Sequence, residues 1–139
     1  MDAKKLEVKN RTGIVLEKKS PLLKYYDFGG DMRIDSVYHN GGCYAEEFHL
    51  CPQQTEILAR YDATNLKKEK ITGKPVIWAY KENEQTGRVV PCGSHPEGVT
   101  SGERLQLMSS MIQYAMDGNG TPRIKGTLKM GLIISQSLP

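Results

Sequence analysis

One stretch of this sequence is written as a helix from cap to stop, and it follows a succession of short β-branched runs. That order constrains the fold more than any other feature, because a single amphipathic helix must lie against a sheet to bury its apolar side. Thr100-Ser101-Gly102-Glu103 has the Thr-x-x-Glu capping-box form, in which each side chain can satisfy the other residue's free backbone N–H. Leu105, Met108, Ile112 and Ala115 follow at helical spacing, Leu107, Met111 and Met116 widen the stripe, and Gly118 suits a left-handed stop. This stripe is expected to face the core, with its methionines acting as adaptable packing residues.

The strands are read from β-branched and alternating runs. Thr12–Leu16, Met32–Tyr38, Ile57–Tyr61 and Pro75–Tyr80 qualify, and Arg88–Cys92 is a fifth. In Met32–Tyr38 the alternation places Met32, Ile34 and Ser36 on one face, with Arg33, Asp35 and Val37 on the other. Glu82–Gly87 reads as a hairpin turn joining Pro75–Tyr80 to Arg88–Cys92, and Pro91 marks the latter as an edge or a strand end. Asp27-Phe28-Gly29-Gly30-Asp31 is turn chemistry, whereas Pro21–Tyr26 is apolar with an ambiguous period. Ile124–Met130 could add a short strand, and Leu132-Ile133-Ile134 needs something to pack on. Residues 1–11 are charged and weakly patterned, as in a mobile arm. The reading is one α/β domain over residues 1–139, rich in β structure, with about five strands and one helix.

Charge and cysteine usage narrow the function classes. Nineteen basic and sixteen acidic side chains leave a formal charge of +3, too balanced to imply a nucleic-acid partner. The densest basic run, Lys67-Lys68-Glu69-Lys70, reads as a solvated turn. Cys43, Cys51 and Cys92 cannot all pair within one chain, and reduced thiols suit the cytoplasm. No apolar run approaches the roughly 18 residues of a membrane span, and Met1–Val8 lacks the apolar stretch of a secretory signal. His39-x3-Cys43 and His49-x-Cys51 are close in sequence, but the paired Cys-x-x-Cys of a structural zinc site is missing, so no metal is expected. Gly29-Gly30 and Gly41-Gly42 lack the Lys-Ser/Thr of a phosphate loop and read as turns, and no cofactor is expected.

The chemistry concentrates in Cys92-Gly93-Ser94-His95-Pro96-Glu97. There a strand runs out into small residues and presents an imidazole and a carboxylate two positions apart. In extended backbone, positions i and i+2 share a side, and Pro96 holds His95 toward extended geometry. A carboxylate so placed can fix one imidazole tautomer and support its protonated form, as in an acid/base pair. The plainer reading is a loop histidine beside a proline, with Glu97 as a charge on the approach to the helix.

The order of strand, small residues, Ser-His-Pro-Glu and helix resembles the C-terminal end of class I glutamine amidotransferase-like domains. The likeness is closer to a divergent branch that includes the N-terminal domain of eukaryotic biotin-protein ligase. Val37-Tyr38-His39-Asn40-Gly41-Gly42-Cys43-Tyr44, Glu56–Tyr61 and Gly87–Glu97 fit that branch, so the resemblance covers roughly residues 37–118. It implies the β-rich half of a flavodoxin-like domain. It also implies that His95 is the base and Glu97 its orienting partner in a Cys-His-Glu triad.

The sequence departs from the family at the nucleophile. The family's cysteine sits on a Gly-x-Cys-x-Gly turn in an earlier half of the domain. Here Gly41-Gly42-Cys43-Tyr44-Ala45 is only superficially similar, with Ala45 in place of the second glycine. The chain therefore reads as the C-terminal half of such a domain, with its nucleophile outside residues 1–139.

Three functional classes follow. The first is an amidotransferase-like domain acting on a small-molecule substrate through His95 and Glu97. The second is a catalytically silent binding module whose pocket is lined by Asn40, Gly41, Gly42 and Cys43. The third is an unrelated fold in which Ser-His-Pro-Glu is coincidence. A missing half would also leave an apolar sheet edge exposed, so self-association or a covering partner is expected.

Overall fold

The computed structural model describes residues 11–39, 43–64, 70–97, 102–118 and 122. The arm at residues 1–10, Asn40–Gly42, most of the Lys67–Lys70 run, Thr100 and Ser101 of the capping box, and the segments at 124–130 and 132–134 lie outside them.

Four strands form one sheet: β1 (Arg11–Leu16), β2 (Arg33–Tyr38), β3 (Thr55–Asp62) and β4 (Pro75–Tyr80). Their spatial order is β2-β1-β3-β4, and every neighbouring pair is antiparallel. Strands and a helix together give the expected α/β content. The sheet itself differs from the parallel sheet of a flavodoxin-like domain. A parallel pair needs a long crossover, usually a helix, and the described segments between these strands contain only turns and single 3-10 turns.

The two faces of the sheet have different chemistry. Cross-strand partners Thr12 and Val37, Ile14 with Ile34 and Tyr61, and Leu16 with Ala59 are buried on one side. The opposite side carries Arg33, Arg60 and Asp62, laced by ion pairs. Arg60 binds Glu17 and Glu47 (2.6 Å for the latter), and Arg33 binds Asp62 and Asp35 (2.7 Å for the latter). Such exposed pairs contribute little individually, but they keep this face in water and leave the other to form the core.

Ser36 breaks the expected alternation of β2. Thr12 lies opposite Val37 and Ile14 opposite Ile34, so two steps along β1 span three along β2. Ser36 takes up the extra residue in a left-handed conformation, φ 57°. The bulge brings both Ile34 and Val37 into the core and turns Ser36 outward.

The helix α1 spans Glu103–Met116, with Gly102 at its N-cap and no side-chain cap bond. It packs against β2 and the 3-10 turn Pro21–Lys24 through the edge of the expected stripe that carries Leu107 and Met111, not through Leu105 and Ile112. Leu107, Ser110 and Tyr114 are buried, whereas Leu105, Ile112 and Met116 are exposed. Two apolar stripes share this helix. The core selects the one carrying Tyr114, whose hydroxyl donates to the buried carboxylate of Glu56 on β3. Arg88 secures the far end: its guanidinium stacks 4.1 Å from the Tyr114 ring centre and donates to the carbonyls of Tyr114 (3.0 Å) and Asp117. No helix among the described residues is long and apolar enough to cross a membrane.

The fifth strand expectation is met by pairing rather than by a regular strand. Val89 exchanges two 2.8 Å bonds with Tyr80, Trp78 N–H donates to Pro91 O, and Gly93 N–H donates to Val76 O. Pro91 has no N–H to return, which leaves isolated bridges along the outer edge of β4. The turn before it is held from inside. The fully buried Lys81 donates its ammonium protons to Asn83 O (3.0 Å) and Glu84 O (3.1 Å).

Candidate active site

The segment leaving β4 crosses to the other edge of the sheet within two residues. Gly93 N–H bonds to Val76 of β4 at 2.8 Å, and His95 N–H bonds to Tyr38 O of β2 at 2.9 Å. β2 and β4 are the two outer strands, so residues 93–95 tie the edges together at this end of the curled sheet. The candidate residues sit on this tie.

Backbone chemistry makes the tie rigid. Tyr38 O accepts from both His95 N–H and the hydroxyl of Ser94, the latter at 2.7 Å, and Ser94 is buried. Cys43 N–H donates to Gly93 O at 2.7 Å. Beneath them, Tyr61 of β3 points its hydroxyl at Cys43 O (2.7 Å) and Gly93 O (2.9 Å), sharing one proton between the two. His39 packs edge-on against the Tyr61 ring, with centres 5.1 Å apart. Gly93 is required by space: a Cβ there would fall on the Cys43 carbonyl and lie 3.3 Å from the Cys43 Sγ.

On this base His95 and Glu97 face one another, with Nδ1 3.0 Å from Oε1. The i, i+2 spacing around Pro96 produces the contact that extended backbone allows. Both side chains are about half exposed, 41% for His95 and 57% for Glu97. A contact so exposed adds little to stability, so its effect is to orient the ring rather than to hold the fold. With Nδ1 engaged by a carboxylate, Nε2 is the nitrogen left to take or give a proton. The Tyr38 ring lies beside the imidazole at a centre distance of 6.1 Å.

The thiols divide by environment. Cys92 lines a small apolar groove with Val90, Met108, Met111, Ile112 and Ala115, and burial pushes its pKa up to about 11. A thiol held protonated at neutral pH is a poor nucleophile. Cys43 and Cys51 are exposed, and Cys43 is the thiol that the Gly93 contact brings to the site. Of the expected pocket residues, Cys43 is therefore brought to the dyad's segment, while Asn40, Gly41 and Gly42 lie outside the described residues. Among the described residues, no group of three or more His, Cys, Asp or Glu is placed to hold a metal ion.

Three contributors escaped the sequence reading. Tyr61 and Tyr38 carry no role of their own in the sequence pattern, and Ser94 counts only as a small residue beside His95. Their roles depend on which carbonyls the fold brings within reach, and no local pattern encodes that. A larger concavity of about 1,070 Å³ lies on the ion-paired side of the sheet, lined among others by Glu17, Glu47, Phe48, Ile57 and Arg60 and by neither residue of the dyad. Comparison with family models, curated proteins and solved structures finds no match for this chain.

Proposed function

We propose that this chain supplies the acid–base part of an amidotransferase-like site, with His95 as the proton carrier and Glu97 as its orienting carboxylate. The 3.0 Å contact between His95 Nδ1 and Glu97 Oε1 carries this reading. With Nδ1–H donated to Glu97, the Nε2 lone pair is free to remove a proton from a nucleophile or from water. The nucleophile of that site comes from outside residues 1–139. The substrate is a small molecule reaching the half-exposed imidazole. The parallel frame of a flavodoxin-like domain is no part of the proposal.

Ring 15N NMR tests the dyad. Glu97→Gln is expected to change the balance of His95 tautomers, because an amide oxygen holds the Nδ1 proton less firmly than a carboxylate. An unchanged tautomer ratio would remove the orienting role. Thiol alkylation tests where the nucleophile lies. Slow labelling of Cys43, unaltered by His95→Ala, is expected if it lies elsewhere, whereas fast labelling lost in His95→Ala would place it at Cys43.

The second reading is a catalytically silent binding module on the same fold. The raised Cys92 pKa favours it, since a cysteine beside the dyad segment is not activated. Both readings leave apolar surface at Val89, Ile112 and Met116 for a partner or a second copy. Light scattering is expected to show a species heavier than 15.6 kDa.

A further inference from the structure

We infer that residues Ile124–Met130 of this chain add a strand to the open edge of the Arg88–Cys92 segment and seat their apolar side chains in the groove beside α1. The inference does not depend on the acid–base reading of His95.

Backbone bonding shows where the sheet stops. Val89 exchanges bonds with Tyr80, Pro91 O accepts from Trp78 N–H, and Gly93 N–H donates to Val76 O, so these alternate residues turn toward β4. Val90 and Cys92 lie between them and direct their N–H and C=O groups the opposite way. Among the described residues those four groups take no hydrogen bond. A row of unpaired ladder groups is the template to which a further strand pairs.

The same edge borders an apolar groove. Val90 and Cys92 form one wall, and Met108, Met111, Ile112 and Ala115 of α1 form the other. The core uses the inner side of that helix, through Leu107 and Tyr114, and leaves Ile112 56% exposed. The edge calls for backbone partners and the groove for apolar side chains at alternate positions. One extended segment supplies both.

The path of the chain names the occupant. Arg88 donates to the carbonyls of Tyr114 and Asp117, and a Cβ at Gly118 would lie 3.2 Å from the Arg88 nitrogen. The last turn of α1 therefore delivers the chain to the first residue of the open edge. Residues 119–139 follow from there. Within them Ile124, Gly126, Leu128 and Met130 alternate with Lys125, Thr127 and Lys129, the period of a strand with one apolar side. Residues 119–123 are a link of ordinary length between a helix and a strand. A strand entered at Arg88 runs parallel to Arg88–Cys92, and α1 is the long crossover that a parallel pair needs.

The test is amide hydrogen exchange of the whole chain, read by NMR. The amides of Val90 and Cys92 should be protected although no described residue accepts from them, and the protection should not change on dilution. Leu128→Gln with Met130→Gln removes the apolar row and should speed both amides by about tenfold or more. Thr127→Gln with Lys129→Gln alters the opposite row and should leave them unchanged. The amides of β1 and β3 should stay protected in both double variants, which separates loss of the added strand from loss of the fold. Free exchange at Val90 and Cys92 in the unaltered chain, or equal acceleration by the two double variants, overturns the proposal. Protection that falls on dilution also overturns it, because a second copy then covers the edge.

Discussion

Replacing Gly93 by alanine tests the tie between the sheet edges at its tightest point. The added methyl would overlap the Cys43 carbonyl oxygen and lie 3.3 Å from its Sγ. Backbone cannot swing aside as a flexible side chain can, so the chain must open one of the bonds that converge there. Those are Cys43 N–H to Gly93 O, Gly93 N–H to Val76 O, and the shared Tyr61 hydroxyl. Overpacking of this kind costs about 1–3 kcal/mol, and a lost hydrogen bond about 1 kcal/mol more. For 139 residues, an unfolding entropy of about 2.1 cal/mol/K per residue gives roughly 0.3 kcal/mol per degree. A cost near 3 kcal/mol then lowers Tm by about 10 °C.

Gly87→Ala is the control. Nothing lies within 4 Å of a Cβ at that position, so alanine should be neutral or stabilise by about 0.4–1 kcal/mol. Thermal unfolding followed by circular dichroism measures both variants. A Gly93→Ala midpoint within about 2 °C of wild type would refute the close packing of the tie. The His95 signals should shift with Gly93→Ala and stay in place with Gly87→Ala.

Further outcomes follow from other contacts. Leu107→Ala should cost about 2–5 kcal/mol in urea unfolding, while Ile112→Gln should stay within about 0.5 kcal/mol, because only the first faces the core. Arg88→Ala should speed amide exchange at the C-terminal turn of α1 and destabilise by about 3 kcal/mol, since it strips donors from two carbonyls and leaves the Tyr114 ring uncovered. Cys92 has its pKa raised to about 11, so its contribution to stability is complete below the ordinary thiol value and is lost as pH rises through about 11. The fall in stability from pH 9 to 11 should accordingly be about 2–3 kcal/mol smaller in Cys92→Ala, as read by urea midpoints.

Local chemistry made part of this protein legible. The His95–Glu97 contact was readable because i, i+2 neighbours around a proline meet whatever the rest of the chain does. The strands at 12–16, 57–61 and 75–80 were readable because β-branched runs bounded by turn residues leave few alternatives. The buried face of α1 was legible only in part: Leu107 and Met111 of the apolar stripe do face the core, but Leu105 and Ile112, as regular in spacing, face outward while Tyr114 takes the inner side. Only the partners Glu56 and Arg88, distant in sequence, decide between them. The bulge at Ser36 was equally hidden, since the alternation of residues 32–38 looks regular until β1 fixes the register. The meeting of Arg11 and Arg104 at the carbonyl of Ser36 had no local signal either.

The single proton of Tyr61 has a dynamic consequence. It serves the carbonyl of Cys43 and that of Gly93 together, and Cys43 N–H donates to Gly93 O, so both segments are held to β3 at one point and to each other. The two segments should breathe as one unit: the amide protons of Cys43 and Gly93 should exchange with solvent through a common opening. In Tyr61→Phe both should become faster by a similar factor, while the amides of β1 keep their protection.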